Sequence, residues 1–443
     1  MQVVLTVKEG PHQGKAFSFE KHDTFIVGRA DYAHFRLSKD DRYFSRAHFM
    51  VEVNPPLCRL LDMDSRNGTF VNKRQVSEVD LNDGDLIQGG KTVIHVAIHG
   101  DGDESNVKHP SSAPSSDDDA ATQVYDGAQT KPDAAEASSP TSLPASAPPS
   151  TPADRNLEPT MQLIGATGRI GDYRLIKELG RGGMGVVYQA VRETDGQVVA
   201  IKTIRPQGYA SSRDMERFLR EARILCELNH PNIVKFFELR EENGQLCFAM
   251  EYVPGVDSAR LLASTGPLPV SRATRIVCQL LEALQYAHDR QFVHRDIKPG
   301  NLLLMSSDDG QDRVKLADFG LARVYQSSKL SGLTLQGETG GSFAYIAPEQ
   351  ITNYRESKPA TDLYATAATL YNLLTGEYVF DLPKKMSERV LMILQETPVL
   401  ITNRRGDLPP ALAAAIHQGL SRNPQDRQPS AAAMREALLP FTI

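Results

Sequence analysis

Several short stretches in the second half of the chain hold residues that could handle phosphate. Gly180, Gly182 and Gly185 fall in "LGRGGMGVVY" as G-x-G-x-x-G. Glycines at that spacing let backbone N–H groups approach phosphate oxygens with no Cβ in the way. Dinucleotide-binding turns use the same spacing but need a helix directly after it. Here "VVYQAV" reads as strand, Asp195-Gly196 as a turn, and "VAIK" as the end of another strand, which makes a glycine-rich hairpin. Lys202 ends that strand. A Lys on a mostly buried strand is costly unless paired, and Glu221, on the next helical pattern, is the natural partner. "HRDIKPGN" (His294 to Asn301), "DFG" (Asp318 to Gly320) and "APE" (Ala347 to Glu349) then follow in order. Each has an ordinary reading alone, since a loop Asp is usually just solvated. All of them in this order do not arise by accident.

The first hundred residues carry a second set: "VGRA" (Gly28-Arg29), "SRAH" (Ser45 to His48) and "SRNGTFVN" (Ser65 to Asn72). Arg supplies charge and a fork of donors, Ser an O–H, and Asn an amide, a combination suited to a tetrahedral anion. Asn67-Gly68 alone would be a hairpin turn. His48 alone reads as a loop-packing group rather than a ligand.

These residues need elements to position them. Up to residue 100, runs such as "VVLTV", "TFIV", "HFMVEV" and "CRLLDM" are separated by turn chemistry, which predicts a sandwich or barrel of short strands. Residues 101–169 lose all periodicity; Ser, Pro, Ala and Asp dominate. Such a segment buries too little apolar surface to offset its ordering entropy and reads as a disordered acidic linker. Residues 170–443 open with the strand patterns "YRLIKEL", "GVVYQAV" and "VVAIKTI" and continue with helical patterns such as "ATRIVCQLLEALQYAHDR", an α+β layout.

Residues 170–443 resemble a eukaryotic-like, bacterial-type Ser/Thr protein kinase with the bilobal fold. The resemblance implies that Gly180, Gly182, Gly185 and Val187 cover the phosphates of ATP. It implies that Ala200, Met250, Glu251 and Val253 line the adenine pocket and hinge, and that Lys202 holds the α- and β-phosphates, fixed by Glu221. By it, Asp296 orients the acceptor hydroxyl, Lys298 stabilises the transferring phosphoryl group, and Asn301 and Asp318 hold Mg²⁺ or Mn²⁺. Arg427 should pair with Glu349. Two departures stand out. Ser342 replaces the usual Thr, and Ala365 and Ala367 stand in "DLYATAATLYNLL" where Ser and Gly are common. Arg295 before Asp296 leaves a charge suited to an activation-loop phosphate, with Thr334 and Thr339 as the favoured sites.

Residues 1–100 resemble a forkhead-associated (FHA) domain, an all-β sandwich that reads phosphothreonine. By this resemblance Arg29 and Ser45 contact the phosphate, Arg46 and Arg66 line the site, and Asn67 holds the peptide backbone. Gly28, His48 and Gly68 support the loops. Thr122, in "DDDAATQVYDG", and Thr160, in "EPTMQLIG", then become candidate phosphosites in the linker. The kinase segment would write them and the FHA segment would read them, in cis or in trans.

The net charge of −6 over 443 residues gives no reason to expect nucleic acid or a membrane surface as a partner. The four cysteines are scattered, with no C-x-x-C pair, and read as buried reduced thiols. With no leader pattern and no long apolar run, the chain reads as cytoplasmic. The expected partners are Ser/Thr protein substrates and phosphothreonine peptides, with room for a transient dimer during trans-autophosphorylation. One rival is a scaffold with an inactive kinase fold, which the intact Lys202, Glu221, Asp296, Asn301 and Asp318 disfavour. The other is a small-molecule kinase, which "APE" and the long activation loop disfavour.

Overall fold

The computed structural model describes residues 2–37, 43–99, 168–182, 185–204, 224–242, 245–306, 310–318, 342–353 and 357–443. Glu221, Thr122, Thr160, Thr334 and Thr339 lie outside these residues, as does nearly all of the expected linker. The described parts of both halves belong to one compact unit.

The N-terminal half is a two-sheet sandwich. Its strands are β1 (Gln2–Glu9), β2 (Ala16–Phe19), β3 (Asp23–Gly28), β4 (Phe35–Arg36), β5 (Phe49–Asn54), β6 (Leu57–Asp62), β7 (Thr69–Val71), β8 (Arg74–Val76), β9 (Glu78–Asp80), β10 (Leu86–Gly89) and β11 (Thr92–His99). One sheet runs β2-β1-β11-β10-β7-β8 and the other β4-β3-β5-β6-β9. Strand alternation fills the space between them: Val3, Leu5 and Val7 from β1 meet Phe25 and Val27 from β3 and Phe49, Val51 and Val53 from β5. On β1 the remaining positions are only partly buried, as expected for a face turned to water. On β3 and β5 nearly every position is buried, on both faces.

The C-terminal half opens with β12 (Arg169–Ile170), so strand begins at the last residue of the expected linker. β13 (Tyr173–Gly182), β14 (Gly185–Arg192), β15 (Val198–Ile204), β16 (Phe236–Glu242) and β17 (Gln245–Glu251) complete a sheet of order β12-β13-β14-β15-β17-β16. A small sheet follows: β18 (Val256–Asp257), β19 (Leu302–Ser306) and β20 (Asp312–Leu316). The described helices are α1 (Ser258–Thr265), α2 (Val270–His288), α3 (Pro348–Thr352), α4 (Pro359–Thr375), α5 (Met386–Gln395), α6 (Ile401–Arg404), α7 (Pro410–Gly419) and α8 (Ala431–Leu438).

Helix α4 is buried on almost every side and starts and stops by local chemistry. Pro359 sits in the first turn, and Gly376 closes the end in the left-handed region. Its small residues have a packing reason: a Cβ on Gly419 of α7 would lie 2.7 Å from Ala367 Cβ. Ala365 and Ala367 are both buried there and let the two helices approach closely. Filling a Leu or Ile into such a core is worth about 1.5–3 kcal/mol each, which is what holds the loops described next.

Candidate active site and anion-binding edge

The C-terminal site is assembled from the ends of β15, β19 and β20. Antiparallel pairing sets Val187 opposite Lys202 and Ala200 opposite Met250. Three of the expected pocket residues thus lie in neighbouring strands, with Met250 at the back and buried. Glu251 ends β17, and its backbone N–H donates to Lys235 O (2.8 Å). Its carboxylate turns aside to Lys315 Nζ (2.7 Å), so only its backbone remains for a hinge role. At the hairpin tip Gly185 has φ 151°, and a Cβ there would lie 1.7 Å from Thr203 O, so only glycine fits. Gly180 has open space where a Cβ would be.

Lys202 is 6% exposed and its ammonium pairs with Asp318 Oδ1 at 2.7 Å. The charge on a buried strand therefore has a partner. Burial alone would raise the Asp318 carboxyl, but Lys202, helped by Lys298 and His294, holds it below its ordinary value. Asp318 also sits at φ 57°, a left-handed conformation unusual for a residue other than glycine.

Asp296 is gripped from two sides. Lys298 Nζ lies 2.9 Å from Oδ1, and Asn301 Nδ2 donates to both the Asp296 carbonyl (2.7 Å) and Oδ2 (3.1 Å). Asn301 O in turn accepts from Ala317 N (2.8 Å), tying this loop to the residue before Asp318. His294 does the same with its ring. Nδ1 accepts from Asp296 N (3.2 Å), which leaves the proton on Nε2 to donate to Ala317 O (3.0 Å).

Beneath the loop lies Asp362, fully buried on α4. Its carboxylate accepts from His294 N (2.8 Å), Arg295 N (2.7 Å) and the His288 ring (2.8 Å). Those bonds hold Arg295 at φ 69°, also left-handed. Burial pushes this carboxyl up, yet the His288 hydrogen bond and charge, His294 and the Arg295 N–H bring it below its ordinary value. Gln350 on α3 donates to Arg295 O (2.9 Å). Glu349, on the same helix, receives Arg427 as a two-pronged pair at 2.6 and 2.8 Å, as expected from sequence.

The N-terminal residues gather on one loop edge of the sandwich. Arg29 Nε donates to Phe44 O (2.5 Å), and Arg29 N donates to Ser45 O (3.1 Å). Ser45 Oγ accepts from Arg66 N (3.0 Å), and Asn67 Nδ2 donates to Tyr43 O (2.8 Å). His48 is fully buried. Its Nδ1 accepts from Ser45 N (3.1 Å), so Nε2 carries the proton towards Gly68 O (3.3 Å). It is a loop strut, as its sequence setting suggests. Gly28 passes so close to the Arg46 carbonyl that a Cβ would lie 2.2 Å from it. Arg46, Arg66 and Asn67 are exposed on this edge, with Arg29 and Ser45 half-buried behind them. Cationic and polar donors thus converge around an open edge, a geometry able to hold an anion.

The protein kinase domain family profile matches residues 173–439, which is more than half of the chain and contains every residue of the C-terminal site. The chain belongs to the protein kinase family. An FHA domain profile matches residues 25–90. The chain is 36% identical over 270 residues to the serine/threonine-protein kinase pkn3 of Myxococcus xanthus, covering 60% of this chain and 49% of that protein. It is 38% identical over 265 residues to serine/threonine-protein kinase PknD of Mycobacterium tuberculosis, covering 59% of this chain and 38% of that one. The chain thus spans about half the length, or less, of these curated relatives. Among solved structures, Rad53 1–466 in complex with AMP-PNP aligns over 100% of both chains, with a TM-score of 0.51 and 21% identity, a likeness of fold.

The protein kinase fold implies ATP and a divalent metal ion. The residues present suit both. Among the described residues no cluster of three or more His, Cys, Asp or Glu side chains forms a metal site. A Mg²⁺ ion bound largely through nucleotide phosphates needs only one or two side chains, and the Asp318 carboxylate with the Asn301 amide oxygen can supply them. His294, His288, Asp362 and Gln350 support this kinase site without having been singled out as site residues in the sequence. Asp362 lies far along the chain from the loop it holds, and only its place in "DLYATAATLYNLL" hints at it. None of the four cysteines is in a disulfide, and burial pushes Cys58 and Cys247 up to about 12 and Cys278 up to about 11, so these three are not reactive thiols. No helix among the described residues is long and apolar enough to cross a membrane.

Proposed function

We propose that this chain is an ATP-dependent Ser/Thr protein kinase whose FHA domain reads phosphothreonine. The observation that carries the kinase reading is the joined pair of acidic centres. Asp318 is paired with Lys202, Asp296 is gripped by Lys298 and Asn301, and Asp362 locks the backbone of His294 and Arg295 just before Asp296. Phosphoryl transfer passes through a loose transition state, so positioning and charge neutralisation are what a protein must supply.

In this reading Gly180, Gly182 and Gly185 present backbone N–H groups to the phosphates, and Val187, Ala200, Met250 and Val253 enclose the adenine. Lys202 leaves its ion pair in part to hold the α- and β-phosphates, and Asn301 and Asp318 hold Mg²⁺. A divalent ion held there would supply charge neutralisation to the nucleotide phosphates. Asp296 orients a Ser or Thr hydroxyl and takes its proton, while Lys298 stabilises the γ-phosphoryl oxygens. On the FHA edge, Arg29 and Ser45 receive the phosphate of phosphothreonine, Arg46 and Arg66 add positive charge, and Asn67 holds the peptide backbone.

The chain also phosphorylates itself in this reading, at Thr334 or Thr339 and at Thr122 or Thr160. The test is incubation of wild-type and Asp318→Ala chains with Mg-ATP, followed by phosphosite mapping by mass spectrometry. Phosphate on Thr334 or Thr339 and on Thr122 or Thr160 in wild type alone is expected. Phosphate confined to residues 327–339 would reduce the linker threonines to spacer residues. No transfer to itself or to any Ser/Thr peptide would remove the kinase reading.

A further inference from the structure

The sandwich sheet β4-β3-β5-β6-β9 has two apolar faces. Phe25, Val27, Phe49, Val51, Cys58 and Leu60 point into the sandwich core. Ile26, Met50 and Leu61, at the alternate positions, join Ala47 and Met63 in a different apolar cluster, the one that contains the kinase helices. Ile26 and Met50 are fully buried there. A sheet with one free face would carry polar residues at those positions.

Polar contacts ring this face. Thr24 Oγ1 donates to Ile351 O (2.6 Å), and the His34 ring meets Thr352 O, both on α3. Gln395 Nε2 donates to Tyr32 Oη (2.8 Å), and Lys385 Nζ pairs with Asp64 (3.1 Å); these kinase residues lie at the two ends of α5. None of these bonds uses Arg29, Ser45, Arg46, Arg66 or Asn67. The loops that reach α5 are nevertheless the ones that carry the anion-binding edge, since Tyr32 follows Arg29 and Asp64 precedes Arg66. Among the described residues Arg46, Arg66 and Asn67 of the edge stay exposed while the domain behind it is docked. On the kinase side the docked helix α3 reaches the catalytic loop through Gln350 and Arg295 O, next to Asp296.

We propose that the docked FHA domain is a second substrate site, so that the kinase favours acceptor proteins already bearing a phosphothreonine at a set distance from the acceptor hydroxyl. This rests on the kinase and phosphothreonine readings above. Docking itself needs no phosphate, because an apolar face holds it. The chemistry at Asp296 is unchanged. The acceptor oxygen bonds the γ-phosphorus, the bond from that phosphorus to the β,γ-bridging oxygen breaks, and ADP leaves. The hydroxyl proton passes to Asp296 and then to solvent. The phosphothreonine is held and not consumed. A held anchor raises the local concentration of the acceptor, which lowers KM and leaves kcat alone.

The test uses the full chain with synthetic peptides. Each has one acceptor Ser and either Thr or phosphothreonine at graded separations from it. Initial rates with Mg-ATP are paired with fluorescence anisotropy of a labelled phosphothreonine peptide on the same chain. The expected result is a KM lower by about tenfold to a hundredfold for primed peptides, peaking at one range of separations. An excess of a phosphothreonine peptide lacking any acceptor should erase that gain and leave the rate on unprimed peptides unchanged. Met50→Asp, which sets a charge in the shared apolar cluster, should flatten the dependence on separation. The wild-type scan decides the matter even if that variant does not fold. Equal KM for primed and unprimed peptides, with the phosphothreonine peptide bound, overturns the proposal. A gain of the same size at every separation also overturns it, since that is the behaviour of a loose tether. Failure to bind any phosphothreonine peptide, or to phosphorylate any peptide, overturns it together with the reading beneath it.

Discussion

The two charged sites of this chain are built in opposite ways. In the kinase lobe the ionised groups neutralise one another. Lys202 meets Asp318, Lys298 meets Asp296, and Asp362 is buried under three hydrogen-bond donors. On the FHA edge the described hydrogen bonds that shape the loops run mostly to backbone atoms, and Arg46, Arg66 and Asn67 are left exposed. The difference suits the two tasks proposed above. A group that must sit within a few tenths of an ångström of a reacting phosphorus is best fixed beforehand by other charges. A group that must catch an anion from water does better solvated on a loop that a buried strut such as His48 keeps in shape.

Four experiments would break or sharpen that contrast. The largest effect is expected at the paired centres. Asp296→Asn or Asp318→Ala should lower kcat by about 10³-fold or more, read as phosphate transferred to a Ser/Thr peptide. A loss under tenfold would mean that the centres are structural. Next comes Asp362→Ala, which leaves the His294 and Arg295 N–H groups without their acceptor. It should cost about 3–5 kcal/mol in urea unfolding at pH 7. The Asp362 carboxyl lies below its ordinary value of 3.8 when folded, so its contribution is complete above about pH 4 and is lost as the pH falls through the folded value. Wild type and variant should therefore converge only on strong acidification; convergence near neutrality would contradict the assignment.

The FHA edge should respond more gently. Arg29→Ala removes one charge-assisted contact worth about 1.5–3 kcal/mol, so affinity for a phosphothreonine peptide should fall roughly 10- to 150-fold. That loss should shrink in high salt, because the edge is open to ions. Asn67→Ala removes a neutral contact of about 0.5–1.5 kcal/mol and should weaken binding by about 2- to 10-fold. If Asn67→Ala proved as damaging as Arg29→Ala, the edge would be a rigid frame like the kinase site, and the contrast would collapse.

Much of this was legible before any coordinates, because motifs of fixed spacing mark loops whose neighbours in space are also neighbours in sequence. "HRDIKPGN" brings Asp296, Lys298 and Asn301 together within one turn of chain, and their mutual contacts follow from that proximity. Arg427 and Glu349 were paired correctly across a long separation through the family resemblance. The partner that Lys202 shows among the described residues, Asp318, depends on how β15 and β20 close on each other, while Glu221, the partner expected from sequence, lies outside the described residues. The side chain of Glu251 turned to Lys315 for the same reason, since a carboxylate finds whichever cation the fold brings near. The second apolar face of the sandwich was visible as the near-continuous runs "TFIV" and "CRLLDM". A near-continuous apolar run says that such strands are covered on both faces, but not by what.

That doubly covered sheet has a consequence for inheritance. Gene fusion and exchange favour domains that arrive with a finished exterior. This FHA domain does not have one: lifted out on its own, it would present Ile26, Met50, Leu61 and Met63 to water as a sticky surface. On this geometry the FHA domain needs its kinase to cover that face, and a substitution on one side of the seam falls on residues that the other side packs against.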